Sequence, residues 1–189
     1  MWRNTEKGYG LVAIGLHWLM AAAVFVLFGL GLWMVDLTYY DPWYREAPDF
    51  HKGVGVLLFL ALLVRLAWRW VNPRPAPESG LSAFERRASS LAHTALYALL
   101  LAVMLSGYLI STADGRPVDV FGLFQVPASL RGLPEQADLA GDVHLTLAIT
   151  LIALAAGHAA AALKHHFWNR DRTLMRMLSP GGHRCPRTR

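Results

Sequence analysis

Residues 143–163 read VHLTLAITLIALAAGHAAAAL, and this stretch governs how the rest of the chain is read. It carries no Asp, Glu, Lys or Arg. Its length meets the roughly 20 apolar residues that a helix needs to cross the hydrocarbon of a bilayer. His144 and His158 stand 14 residues apart in it. On a helix that is about 21 Å along the axis and about 1400° of rotation, some 40° short of four turns. Both imidazoles therefore project from one face, one near each membrane surface. Ionisable groups at such depth are costly and rare, so a matched pair calls for a purpose.

Three more apolar runs precede it, at about 11–33, 50–71 and 91–111. Arg65 and Arg69 fall in the last turns of the second. The chain has 189 residues, 54% of them hydrophobic and only 16% charged, against roughly 25% charged in a soluble domain. Four buried helices of a soluble bundle would need polar outer faces, yet the first and third runs are apolar all round. The first run is too long for a signal-peptide core. The expectation is an all-α transmembrane four-helix bundle over residues 1–178, followed by a disordered cytoplasmic tail at 179–189. A single cysteine, Cys185, excludes an intramolecular disulfide and a Cys-x-x-Cys-His attachment for covalent haem.

The charges orient the spans. The N-terminal tail, residues 65–90 and the chain from Lys164 hold 14 Lys/Arg and 4 Asp/Glu. The two loops on the other side, 34–52 and 112–142, hold 4 Lys/Arg and 9 Asp/Glu. The positive-inside rule places both termini in the cytoplasm. The net charge of +5 is thus a topology signal and a lipid-headgroup contact, not a nucleic-acid groove. Asn72-Pro-Arg-Pro-Ala-Pro77 ends the second span in a stiff connector. The second outer loop, about 30 residues long, is expected to hold a short helix or to cover a site.

Of eight histidines, five lie in or beside spans: His17, His51, His93, His144 and His158. With both termini inside, His17 and His158 share an inner level, and His51 and His144 share an outer one. Facing histidines on neighbouring helices can hold one planar haem by both axial positions, so two levels predict two haem b groups stacked across the bilayer. Zinc would want four ligands close together, often thiolates. Gly15, Gly53, Gly55, Gly157 and Ala159–Ala162 give room for a macrocycle or, alternatively, for close helix packing. His93, at the cytoplasmic start of the third span, is an alternative inner ligand, a haem-propionate neighbour, or an interface residue. His165 and His166 fall just past the fourth span beside Trp168; they form an interfacial belt or a quinone headgroup site. His183 belongs to the tail.

The sequence resembles the prokaryotic cytochrome b561 family. The resemblance rests on Leu16-His17-Trp18-Leu19, on His51 with Val64-Arg65-Leu66, on His93-x-x-x-Tyr97 and on Phe121-Gly122-Leu123. Its most specific part is His144 followed by His158-Ala-Ala-Ala-Ala-Leu-Lys-His-His-Phe-Trp and Thr173-Leu-Met-Arg-Met177. It implies a four-helix di-haem cytochrome with His17, His51, His144 and His158 on the haem irons, paired as depth suggests. The branch it is most similar to is that of the superoxide oxidases, which pass an electron from superoxide at the outer side to ubiquinone. That likeness implies a quinone site at His165, His166 and Trp168, and it includes Arg116. A superoxide anion needs local positive potential; Lys52, Arg116 and Arg131 are the candidates, within outer loops that are acidic in sum. The alternatives are a cytochrome b subunit linking quinone to a periplasmic dehydrogenase or hydrogenase, and a non-redox anchor or transporter, which would be colourless.

Overall fold

The computed structural model describes residues 1–78 and 80–180. Its long helices are α1 (Leu11–Met34), α2 (Glu46–Val71), α3 (Ala83–Thr112) and α4 (Gln136–Phe167). Each is long and apolar enough to cross a membrane. An antiparallel hairpin of β1 (Val118–Val120) and β2 (Phe124–Val126) lies between α3 and α4. A 3-10 turn at Met175–Met177 follows α4.

The helices pack chiefly as α1 on α2 and α3 on α4, with α2 also against α3. Their shared core is a thin central layer of Met20, Leu27, Leu58, Leu62, Leu100 and Leu151. Leu19, Phe25, Val26, Leu63 and Leu105 point outward and are exposed. A helix apolar on its outer face as well as its inner one suits lipid, which solvates side chains but offers no partner to a bare backbone.

The helices run beyond the spans that hydropathy marks. The third was expected from 91 but begins at Ala83, because Ser82 and Glu85 form a capping box: the Glu85 amide donates to Ser82 Oγ at 3.1 Å, and the Ser82 amide donates to Glu85 Oε2 at 3.0 Å. The fourth was expected over 143–163 but spans Gln136–Phe167. The Gln136 amide group donates to the carbonyls of Leu109 and Leu130, which ties the start of α4 to the end of α3. α2 stops at Val71, because Pro73 forces Asn72 into an extended conformation with ψ 147°.

The loop between α3 and α4 holds the hairpin instead of a short helix. Its turn passes through Phe121 and Gly122, both with positive φ. At the opposite end of the bundle the N-terminal tail, the α2–α3 connector and the C-terminal segment close over the helices. The Leu11 amide donates to Met1 O, the Ala76 amide to Glu6 O, and the Arg176 guanidinium to Lys7 O. Gly10 is required there: a Cβ would lie 2.3 Å from the Trp2 carbonyl oxygen. Ser179 and Pro180 are described, and the Ser179 amide donates to Met175 O. The rest of the expected tail, with Cys185 and His183, lies outside the described residues.

Candidate cofactor site

The bundle encloses two histidine levels, one toward the hairpin and one toward the termini. At the hairpin level His51 of α2 faces His144 of α4, with ring centroids 6.2 Å apart and ring planes at 69°. Two backbones make room for these rings. A Cβ on Gly31 of α1 would sit 3.3 Å from His51 Cε1, and one on Gly107 of α3 would sit 3.1 Å from His144 Cε1. His144 Nδ1 lies 2.9 Å from the Val103 carbonyl oxygen and 3.1 Å from Ser106 Oγ. A carbonyl only accepts, so Nδ1 carries the proton and Nε2 is left free for another partner. His51 Nδ1 is buried without a hydrogen-bond partner.

At the terminal level His17 of α1 faces His158 of α4 at 6.3 Å, with ring planes at 75°. His93 of α3 packs edge-on against His158 at 5.1 Å. Sequence placed His93 at the start of its helix; because α3 begins at Ala83, it lies well inside the bundle. Arg65 of α2 crosses this level. Its Nε donates to Tyr97 Oη at 2.9 Å, its Nη1 to Ala13 O at 3.3 Å, and its Nη2 lies 3.4 Å from His17 Nδ1. Arg69 stands 5.9 Å from the centre of the Tyr97 ring. Trp18, beside His17, donates from its indole to Met177 O at 2.7 Å.

The two separations are the test of what this site can hold. Two metal–imidazole bonds of about 2 Å each, with the depth of each ring added, come to about 6 Å between ring centres. Both pairs meet that spacing. Among the described residues, no group of three or more His, Cys, Asp or Glu could hold a metal ion. The arrangement therefore suits a planar metal macrocycle gripped from both faces. Added Cβ atoms on Gly15, Gly55 and Gly157 meet nothing within 4 Å, so these glycines open onto space and do not serve close helix packing. Gly53 differs: it seats Phe121.

The other predicted residues are placed less simply. His165 and His166 lie within α4, not past it. His165 Nδ1 is 2.6 Å from Asp171 Oδ2 and its Nε2 is 4.0 Å from Glu85 Oε1. Burial disfavours the charged form of Asp171, yet the amide and hydroxyl of Thr173 and the His165 ring hold its carboxyl below the usual carboxylate range. The His166 ring packs against Phe167, and Trp168 is 85% exposed. The structure thus keeps the three residues at one end of α4 without joining them in a single contact. Lys52 and Arg116 do share a site, both lining a cleft of about 510 Å³ that Glu46, Asp49, Asp114 and Asp119 also line. Each cation is paired there: Lys52 with Asp49 at 2.7 Å, Arg116 with Asp114 at 2.9 Å. Arg131 packs its side chain beside Gly115.

Sequence reasoning did not assign roles to Gly31, Gly107, Ser106, Arg65 or Asp171. Gly31 lies at the depth of His51 and Gly107 at that of His144, a match that the same helical geometry gives from sequence. The partners of Arg65 and Asp171 come from distant segments, and no local pattern announces them.

Comparison with known proteins gives a consistent picture. Residues 8–180 match the family described as prokaryotic cytochrome b561. The chain is 50% identical over 175 residues to "Cytochrome b561 homolog 2" of Escherichia coli K12, covering 93% of each chain. It is 30% identical over 171 residues to "Cytochrome b561 homolog 1" of the same organism, covering 87% of this chain and 93% of that protein. A Yersinia pestis protein named "Probable superoxide oxidase CybB" is 28% identical over 174 residues, covering 92% of this chain and 97% of that protein.

Proposed function

The chain belongs to the prokaryotic cytochrome b561 family of membrane electron-transfer proteins, and from that premise we propose that it is a di-haem b cytochrome carrying single electrons from an outer donor to ubiquinone. The observation that carries the reading is the pair of matched imidazole separations, 6.2 and 6.3 Å, on two levels of one bundle. Each haem, when bound, takes up and hands on one electron at a time. His51 and His144 would hold the outer one, His17 and His158 the inner one. Both termini would be cytoplasmic, in line with the basic surplus on their side.

The protein's own groups set the terms of that transfer. The Val103 carbonyl and Ser106 fix His144 in the tautomer that leaves Nε2 unprotonated and free for a metal. Gly31 and Gly107 admit both rings. Arg65 and Arg69 bring positive charge to the inner level, which favours the electron there over the outer level. His93 is an inner-level neighbour of His158 and not an axial ligand in this scheme. His165, His166 and Trp168 stand at the inner end of α4, where a quinone headgroup would take two electrons and two protons.

The donor that the family resemblance implies is superoxide, which loses one electron to become dioxygen; two such events reduce one ubiquinone. Lys52 and Arg116 on the outer cleft are its candidate approach. One observation favours a second reading. Both cations are neutralised by carboxylates, and Glu46 and Asp119 add further negative charge. That balance suits a donor with a basic surface, as expected of a cytochrome b subunit serving a periplasmic dehydrogenase or hydrogenase.

The first experiment is haem quantitation with a reduced-minus-oxidised spectrum of the detergent-purified protein. Two b haems per chain support the scheme; one overturns one of the two levels; none overturns the cytochrome reading. Superoxide is then added without a partner. Reduction of the haems supports the superoxide reading, and its failure leaves the protein-donor reading.

A further inference from the structure

The turn of the hairpin carries an aromatic side chain in a backbone conformation that side chains rarely adopt. Phe121 has φ 55°, in the left-handed region that is disfavoured for any residue with a Cβ. Its ring is seated on Gly53 of α2: a Cβ there would lie 2.7 Å from Phe121 Cζ and 2.8 Å from Cε2. Phe50 packs edge-on against the same ring at 5.9 Å. The turn is fixed locally as well, since the Gly122 amide donates to Asp119 Oδ2 at 2.8 Å and the Leu123 amide to Val120 O at 2.9 Å. Behind it Val118 and Val120 are buried against α2 and α3.

These contacts join the two walls of the outer cleft. Lys52 and Asp49 come from α2; Arg116 and Asp119 come from the hairpin and the segment leading into it; Phe121 lines the cleft between them. Lys52 is the residue next to Gly53. Strain at a non-glycine residue persists only where the surroundings over-determine it, and such sites concentrate where a precise shape is needed. We infer that Phe121 is a positioning residue, whose ring on Gly53 clamps the hairpin to α2 and holds the outer cleft in the shape through which an electron donor reaches the outer level. The inference rests on the proposed outer-side donor only for what uses the cleft; the clamp itself stands on the geometry of Phe121 and Gly53.

The test is a coupling experiment. Phe121→Gly removes the ring and leaves a residue that adopts the left-handed turn freely, so the turn itself is preserved. Gly53→Ala fills the seat while keeping the ring. Hydrogen exchange of the Val118–Val126 amides is followed in the purified full-length wild type, both single variants and the double variant. Each single variant is expected to speed exchange by about tenfold, and adding Gly53→Ala to Phe121→Gly is expected to change nothing more. In the same preparations, reduction by superoxide should slow in the variants while the fully reduced spectrum stays that of the wild type. Unchanged exchange in Phe121→Gly overturns the clamp, and so does a Gly53→Ala effect that persists without the ring. If superoxide fails to reduce even the wild type while the exchange coupling holds, the clamp stands and the donor reading falls.

Discussion

The two histidine levels share one dimension and differ in everything around it. Each presents two imidazoles about 6 Å apart, with α4 supplying one member of each pair. The outer pair is set among glycine backbone, a carbonyl and a hydroxyl, with one ring nitrogen left without a partner. The inner pair is set among a third histidine, two guanidiniums and a tyrosine. Imidazole spacing is therefore a property of the bundle, and charge a property of each level. Cations near a redox centre stabilise the state with the extra electron, so on the proposed di-haem reading the contrast favours passage from the hairpin side to the terminal side.

The harshest way to break the comparison is to remove a ligand. His144→Ala should leave one haem per chain in place of two, with the inner signal kept, and His158→Ala should do the reverse. Pyridine haemochrome assay and the spectrum of each variant check this. Two bis-imidazole haems retained in either variant would refute the pairing.

A gentler substitution keeps both levels occupied and tests what distinguishes them. Arg65→Leu should lower the midpoint potential of the inner level by roughly 50 mV, about one decade in a one-electron equilibrium, and leave the outer one nearly in place. A redox titration in detergent measures both. Equal shifts at the two levels would mean that Arg65 acts on the bundle as a whole. Smaller again is the effect of Gly107→Ala. Its Cβ would press on His144 Cε1 at 3.1 Å, tighter than most contacts, so the outer haem's spectrum should shift while the inner one holds.

The four spans were legible in the sequence while most of this contrast was not, and the reasons are physical. Lipid demands runs of apolar side chains, so the spans are visible as composition. A helix repeats every 3.6 residues, so His144 and His158 declare their common face without a partner chain. The ends of α3 and α4 are hidden because beyond the hydrocarbon the helix is continued by polar contacts, such as the Ser82–Glu85 capping box and the Gln136 bonds to α3. The hairpin is hidden because strands of three residues carry almost no periodicity. Arg65 was visible as a charge in a span and as part of a matching motif, but its bonds to Tyr97, Ala13 and His17 join three helices. Cross-helix pairing at a given depth can be deduced from topology; the choice of hydrogen-bond partner cannot.

The least effect is expected where the inner level meets the aqueous phase. The C-terminal segment is pinned there by Asp171 to His165, by Met177 O to Trp18 and by Arg176 to Glu78. The Asp171 carboxyl titrates below its ordinary range in the folded protein. A depressed carboxylate pKa means stabilisation present above the unfolded-state pKa, near 4, and lost as pH falls through the lower folded value. The segment should therefore stay docked at neutral pH and loosen only in the acid range, and Asp171→Asn should loosen it at every pH. Limited proteolysis after Arg170 and Arg172 reads this directly. Because the Trp18 anchor lies beside His17, loosening should also broaden the inner haem's signal and leave the outer one unchanged; an inner signal indifferent to Asp171 would show that the segment caps the bundle without touching the site.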